Sequence, residues 1–165
     1  MPTISGYRQG LRRVPPDAVT ALEDLFDDDE RAQFHGGPPR RQQVVGDNPS
    51  VPASYRSRDA ISFYLQPLPP GAWTNEVTVR SGRLARMYEP GAWIARVSPT
   101  PLLMIVALAD HITLTDLELR AYEQALEPKK LVTIDGGHFD PYLGRFAVAS
   151  AAATFWFRQH LSQDQ

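Results

Sequence analysis

Two short stretches near the carboxyl end, LLMIVALA at Leu102–Ala109 and KLVTI at Lys130–Ile134, constrain the fold of this chain more than any others. The first is apolar throughout and does not alternate, which is the pattern of a strand covered on both faces, as in a parallel sheet. The second has the same length and strand-like composition. Between them Thr115 and Glu118 match a capping box, Leu117, Ala121 and Ala125 recur at near-helical spacing, and Pro128 ends the segment. Gly144 to Leu161 reads as an alanine-rich helix that carries Phe155, Trp156 and Phe157 near its end. Strand, helix, strand, helix in this order implies a right-handed crossover and parallel pairing, hence an α/β architecture.

Upstream of residue 100 the chain has a different character, rich in proline and glycine. Asp17 is placed to cap a helix with Ala18, Ala21, Leu22, Leu25 and Phe26 on its apolar face, and Pro15 and Pro16 sit where a helix start tolerates them. After Phe34, HGGPPRRQQVVGDNPSVPAS reads as a long irregular connection. Ser57 is expected to cap a short helix through Ile61, Tyr64 and Leu65, and a longer helix is expected from about Asn75 to Tyr88, with Val77, Leu84 and Met87 inward. This divides the chain into a helical, cap-like segment over 1–74 and an α/β segment over 75–165. With 165 residues and 42% hydrophobic content there is material for one ordinary core.

Charge narrows the partners. A formal net charge of −2 gives no field that would gather nucleic acid or an anionic membrane. The pairs Arg12-Arg13 and Arg40-Arg41 are too small for a nucleic-acid footprint. Cysteine is absent, which excludes disulfides and thiolate metal clusters and agrees with a reducing compartment. MPTISGYRQGLRR has no basic segment followed by a long apolar one, so neither export nor membrane insertion is expected and the cytoplasm is the default. The run Asp27–Glu30 lacks the spaced oxygen ligands and glycine of a calcium loop and reads as a solvated helix terminus.

Reactive groups in such sheets gather at the carboxyl edges of the strands. Asp110 directly follows the first strand, and His138 follows the second after Gly136 and Gly137. A carboxylate there can hold the imidazole in one tautomer and stabilise its protonated form, and a tight glycine turn would aim the ring back over the sheet. The pairing favours a functional origin for both residues over two separately satisfied loop side chains. His111 reads as a neighbour rather than a second base, and His35 and His160 have surface or loop roles. His138 with Asp140 gives two ligands without a third, so no metal site is assigned.

Beyond that pattern, SPTPLLMIVALADHITLTD and KKLVTIDGGHFDPY resemble the carboxyl-terminal half of an α/β-hydrolase, and most closely the dienelactone-hydrolase-like enzymes and polyketide transferases or thiohydrolases. TISGYRQGLRRV extends the likeness loosely to the start of the chain. The resemblance implies a short parallel sheet with flanking helices and a helical lid. It also implies hydrolysis or acyl transfer on a small-molecule ester or thioester, with Asp110 as the triad acid and His138 as the base, and no cofactor. Phe26, Phe34, Phe63, Tyr64 and Trp73 would belong to that lid and shape an apolar substrate pocket. One motif of the family is missing: the nucleophile elbow G-x-S-x-G occurs nowhere. Ser5 is the upstream serine that follows a plausible strand, but Thr3 and Tyr7 stand where the elbow needs glycine. The expectation is therefore a truncated gene product or partial gene model, with a non-catalytic remnant or a binding module that needs a partner chain as the alternative. The oligomeric state is not legible.

Overall fold

A computed structural model describes residues 3–161. The contacts divide the chain into two compact units, one formed by residues 1–9 with 88–165 and the other by residues 10–87. The division falls within α1 (Gly6–Arg13).

The α/β unit is built on two strands, β4 (Leu102–Ala107) and β5 (Lys129–Ile134), joined by α5 (Thr115–Gln124) and followed by α6 (Phe146–Leu161). β4 and β5 pair in parallel from Leu102 opposite Lys129 to Ala107 opposite Ile134. The ladder runs on past the strands, with Leu108 N donating to Ile134 O and Ala109 N to Gly136 O. α5 packs on β4 and α6 on both strands. The core of this unit gathers Val106, Ala107, Leu117, Ala121, Ile134, Phe139 and Trp156, all under a tenth exposed. Burying a side chain of the larger kinds is worth about 1.5–3 kcal/mol.

The expected double coverage of the first strand is only partly realised. Leu102 to Ile105 are half-buried, and burial is complete only at Val106 and Ala107. The reason is the size of the sheet: among the described residues β4 pairs with β5 alone, leaving its other edge without a ladder. Of the aromatic trio on α6, Trp156 is buried while Phe155 and Phe157 are 60% and 56% exposed.

In the second unit α2 (Val19–Phe34) packs against α4 (Val79–Met87), where Gly82 lies beside the Phe26 ring. The stretch after Phe34 is not irregular throughout. It forms β1 (Arg41–Val45) and β2 (Ala53–Tyr55), which pair in parallel, and β3 (Val77–Thr78) joins β1 antiparallel. The prolines and glycines around β1 and β2 hid two short runs, and β3 lies where a helix was expected; all three gain their stability from pairing rather than from propensity. α3 (Arg58–Tyr64) starts after Ser57 as expected, although no side chain caps it, and Asp17 likewise lies in a 3-10 turn without capping α2. The helix expected from Asn75 begins only at Val79. Leu84 and Met87, expected inward, are 54% and 70% exposed, and Val79 takes the buried position.

The acidic run on α2 lies within the helix and is partnered. Asp27 and Glu30 pair with Arg83, and Asp28 with Arg31. Asp29 is buried, accepting from Arg40 N at 2.6 Å and Gln33 Nε2 at 2.9 Å. It is not the solvated terminus that its sequence suggests.

Candidate functional site

Both candidate residues leave the sheet at its carboxyl edge, as the strand order dictates. Asp110 follows the extended end of β4, and its backbone is pinned there: Asp110 N donates to Thr115 Oγ1 at 3.1 Å, and that hydroxyl donates to Ala107 O at 2.7 Å. Thr115 is thereby the first residue of α5 rather than its cap. The expected capping box with Glu118 does not form. Its place is taken by Leu114, whose φ of 68° and ψ of 101° lie in a region that L-residues with a Cβ rarely enter. Such strain costs about 1–3 kcal/mol and persists where surrounding contacts enforce it. Here the enforcing contacts are those of the Asp110–Thr115 turn.

On the β5 side, Gly136 has φ +131°, and a Cβ there would run into the Asp140 carboxylate. That carboxylate accepts from Gly137 N at 2.6 Å and so closes the turn that delivers His138. Asp140 is thus a turn residue. The His138 ring meets Phe139 edge-on at 4.8 Å.

The result is a hydrogen bond of 2.8 Å between His138 Nδ1 and Asp110 Oδ2. The Asp110 side chain has no solvent exposure and that of His138 has 14%. Asp110 Oδ1 accepts from Ile112 N at 2.7 Å and Thr113 N at 2.9 Å, while Oδ2 also accepts from Thr113 Oγ1 at 2.7 Å. Burial alone would raise the Asp110 pKa. The hydrogen bonds from His138 and Thr113 outweigh it and hold the carboxyl well below the usual carboxylate range. An ionised Asp110 makes Nδ1 the protonated nitrogen of His138, which leaves the Nε2 lone pair for a substrate-side proton.

Two residues of this network were not singled out as site residues. Thr113 supplies two of the four donors to Asp110, and its own carbonyl accepts from Gln9 Nε2 at 2.8 Å. Glu118 is 1% exposed, with Oε1 3.0 Å from Thr113 Oγ1. The D-x-x-T spacing of Asp110 and Thr113 was the legible signal for a side chain-to-backbone turn. Nothing in the sequence distinguishes Glu118 from an exposed helix glutamate.

The other candidates lie elsewhere. Ser5 Oγ donates to Glu89 Oε1 at 2.9 Å and accepts from Arg8 N at 3.2 Å, the bonding of a helix cap at the start of α1. Ser5 and Glu89 border a cleft of about 150 Å³ with Arg8, Leu117 and Arg120, and neither Asp110 nor His138 lines it. His111 is exposed. His35 stacks edge-on with Phe34, and His160 lies 4.0 Å from the Trp156 ring. In the second unit Tyr64 stacks between Tyr55 and Trp73, whereas Phe34 is 87% exposed.

No protein-family model matches the chain. An uncharacterized protein, YfhR of Escherichia coli K12, is 40% identical over 73 residues, covering 43% of this chain and 26% of the relative. YfhR of Salmonella typhi is 42% identical over 55 residues, 33% of this chain and 19% of that protein. The chain thus matches about a quarter or less of the length of these relatives. Among solved structures, the α/β hydrolase GrgF from Penicillium sp. sh18 superposes with a TM-score of 0.71 at 20% identity, covering 96% of this chain and 53% of that one. DcsB, solved with its substrate analogue, gives 0.71 at 18% identity over 91% of this chain and 53% of its own. The hypothetical protein PA2218 from Pseudomonas aeruginosa gives 0.63 at 20% identity, over 96% and 49%. The chain spans about half of each solved neighbour, and its short parallel sheet with flanking helices has the α/β-hydrolase fold over that half.

Proposed function

We propose that Asp110 and His138 are the acid and base of an acyl hydrolase or acyl transferase acting on a small ester or thioester. The single observation that carries this reading is the 2.8 Å contact between Asp110 Oδ2 and His138 Nδ1, with every other lone pair direction of the carboxylate filled by Thr113 and Ile112. Such a couple has one useful proton site, Nε2, which takes a proton from a nucleophile and returns it to the leaving group while Asp110 stabilises the imidazolium. The fold shared with α/β hydrolases supports the same chemistry by analogy. The 165 residues contain no G-x-S-x-G, so in this reading the nucleophile and the oxyanion donors belong to the rest of the fold, outside this segment.

A second reading, a partner-dependent or non-catalytic module, is favoured by the edge of β4 that is unpaired among the described residues and by exposed Leu143, Phe146 and Val148. The test is turnover of aryl esters and acyl thioesters by the purified chain, and by the full open reading frame in which it lies. Loss of about 10³–10⁴-fold in kcat on His138→Ala in whichever form is active is expected. Turnover that is indifferent to His138→Ala and Asp110→Asn overturns the acid–base role and leaves the second reading.

A further inference from the structure

Thr113 Oγ1 sits among three groups: Asp110 Oδ2 at 2.7 Å, Glu118 Oε1 at 3.0 Å and His138 Nδ1 at 3.4 Å. A hydroxyl carries one proton. If both carboxylates were ionised, one of the two short contacts would set lone pair against lone pair in a buried site. One carboxyl therefore has to supply a proton of its own. Asp110 cannot be the one, because its two oxygens already face four donors. Among the described residues Glu118 faces only the Thr113 hydroxyl, and its buried Oε2 has no hydrogen-bond partner there. An orphaned oxygen is costly on a carboxylate and far less so as the carbonyl of a neutral acid.

We propose that Glu118 is a positioning residue: a neutral carboxylic acid whose proton is donated to Thr113 Oγ1, committing the Thr113 hydroxyl proton to Asp110 and so fixing the carboxylate that orients His138. Burial raises the Glu118 pKa, the Thr113 contact lowers it and the Asp110 charge raises it again, leaving it pushed up to about 8. Among the described residues Asp110 is the charged group acting on it. On its own helix, Asp116 and Arg120 pair at the surface. From the 3-10 segment Pro90–Val97 packed on α5, Arg96 is exposed over Trp93, β4 contributes no charge, and His138 comes from the end of β5. The relevance to turnover rests on the acyl-transfer reading, whereas the proton on Glu118 does not, so the test reads the proton.

The experiment is infrared and NMR spectroscopy of the purified chain with ¹³C-labelled glutamate. A neutral glutamic acid carbonyl band at pH 7 is expected in the wild type and absent in Glu118→Gln. The His138 ring resonances are expected to register the Glu118 ionisation as an inflection near pH 8, through the new charge beside Thr113. That inflection disappears in Glu118→Gln and in Thr113→Val, while the band survives in Thr113→Val. A wild-type spectrum without a neutral glutamic acid at pH 7 overturns the proposal whether or not the variants fold, and so does an inflection that persists in Glu118→Gln. Ester turnover is measured separately. Its absence bears on the acyl-transfer reading and leaves the spectroscopic result intact.

Discussion

Asp110 and Glu118 share one hydroxyl, that of Thr113, yet are driven in opposite directions: the first is held ionised by four donors and the second is pushed toward neutrality by burial with one contact. The difference lies in what surrounds each carboxyl, since both are buried. Two strand-end loops converge on Asp110, while Glu118 points from the first turns of α5 into the same interior, where among the described residues Thr113 is its hydrogen-bond partner.

The pH dependence of stability follows from these opposed shifts. Asp110 has its folded pKa lowered, so its contribution is present above the unfolded value of about 3.8 and is lost as pH falls below it. Glu118 has its folded pKa raised to about 8 from 4.5, so the unfolded chain releases its proton first and stability falls as pH rises from about 4.5 to 8. Denaturant titrations at pH 5 and pH 8 should find Glu118→Gln more stable than wild type at pH 8 by about 1–3 kcal/mol, with a smaller difference at pH 5. An equal offset at both pH values would contradict a titrating Glu118.

Asp110→Asn places an amide NH₂ against the Thr113 hydroxyl or the His138 N–H. A donor then faces a donor in a site without water access, and about 2–4 kcal/mol of stability should be lost. Chemical denaturation checks the loss, and the His138 ring nitrogen shifts should report a mixture of tautomers where the wild type has one.

Gly136→Ala introduces a Cβ at φ +131° that collides with the Asp140 carboxylate. Relief requires breaking the bond from Gly137 N to Asp140, which releases the turn that aims His138. The expected cost is about 2–3 kcal/mol in thermal or denaturant unfolding, with the hydrogen-bonded His138 Nδ1 proton lost from the low-field NMR spectrum. Retention of that proton would show the turn to be dispensable for the couple.

Thr115→Val removes the acceptor for Asp110 N and the donor to Ala107 O at once. Both groups lie where β4 gives way to α5, and about 1–3 kcal/mol should be lost. Thr115→Ser keeps both hydrogen bonds and should recover most of that stability in the same unfolding assay, which separates the hydroxyl's role from the methyl's packing.

Local patterns made the α/β part of the chain legible. The first six residues of LLMIVALA became β4 and KLVTI lies within β5, since strand-like runs of that length between turn residues have few alternatives. The strand-to-polar transitions placed Asp110 and His138 at one edge of the sheet. Missed were β1 and β2, whose residues resemble loop in isolation, and β3, whose residues were expected to be helical; all three become strands only through one another. The inward positions of α4 were also misassigned, because a short helix with Leu84 and Met87 gives no local sign of which side a neighbour will cover.

The order of strands and helices after residue 100, the residues at those strand ends and the glycine of the His138 turn were thus determined by sequence alone, because periodicity and backbone preference act over a few residues. Tertiary structure decided the rest: that Glu118 turns inward to Thr113 instead of capping α5, that Ser5 is engaged by Glu89, and that β4 keeps one edge unpaired among the described residues. Those outcomes depend on which groups are desolvated together across long sequence separations, and desolvation is a property of the packed chain and not of any segment of it.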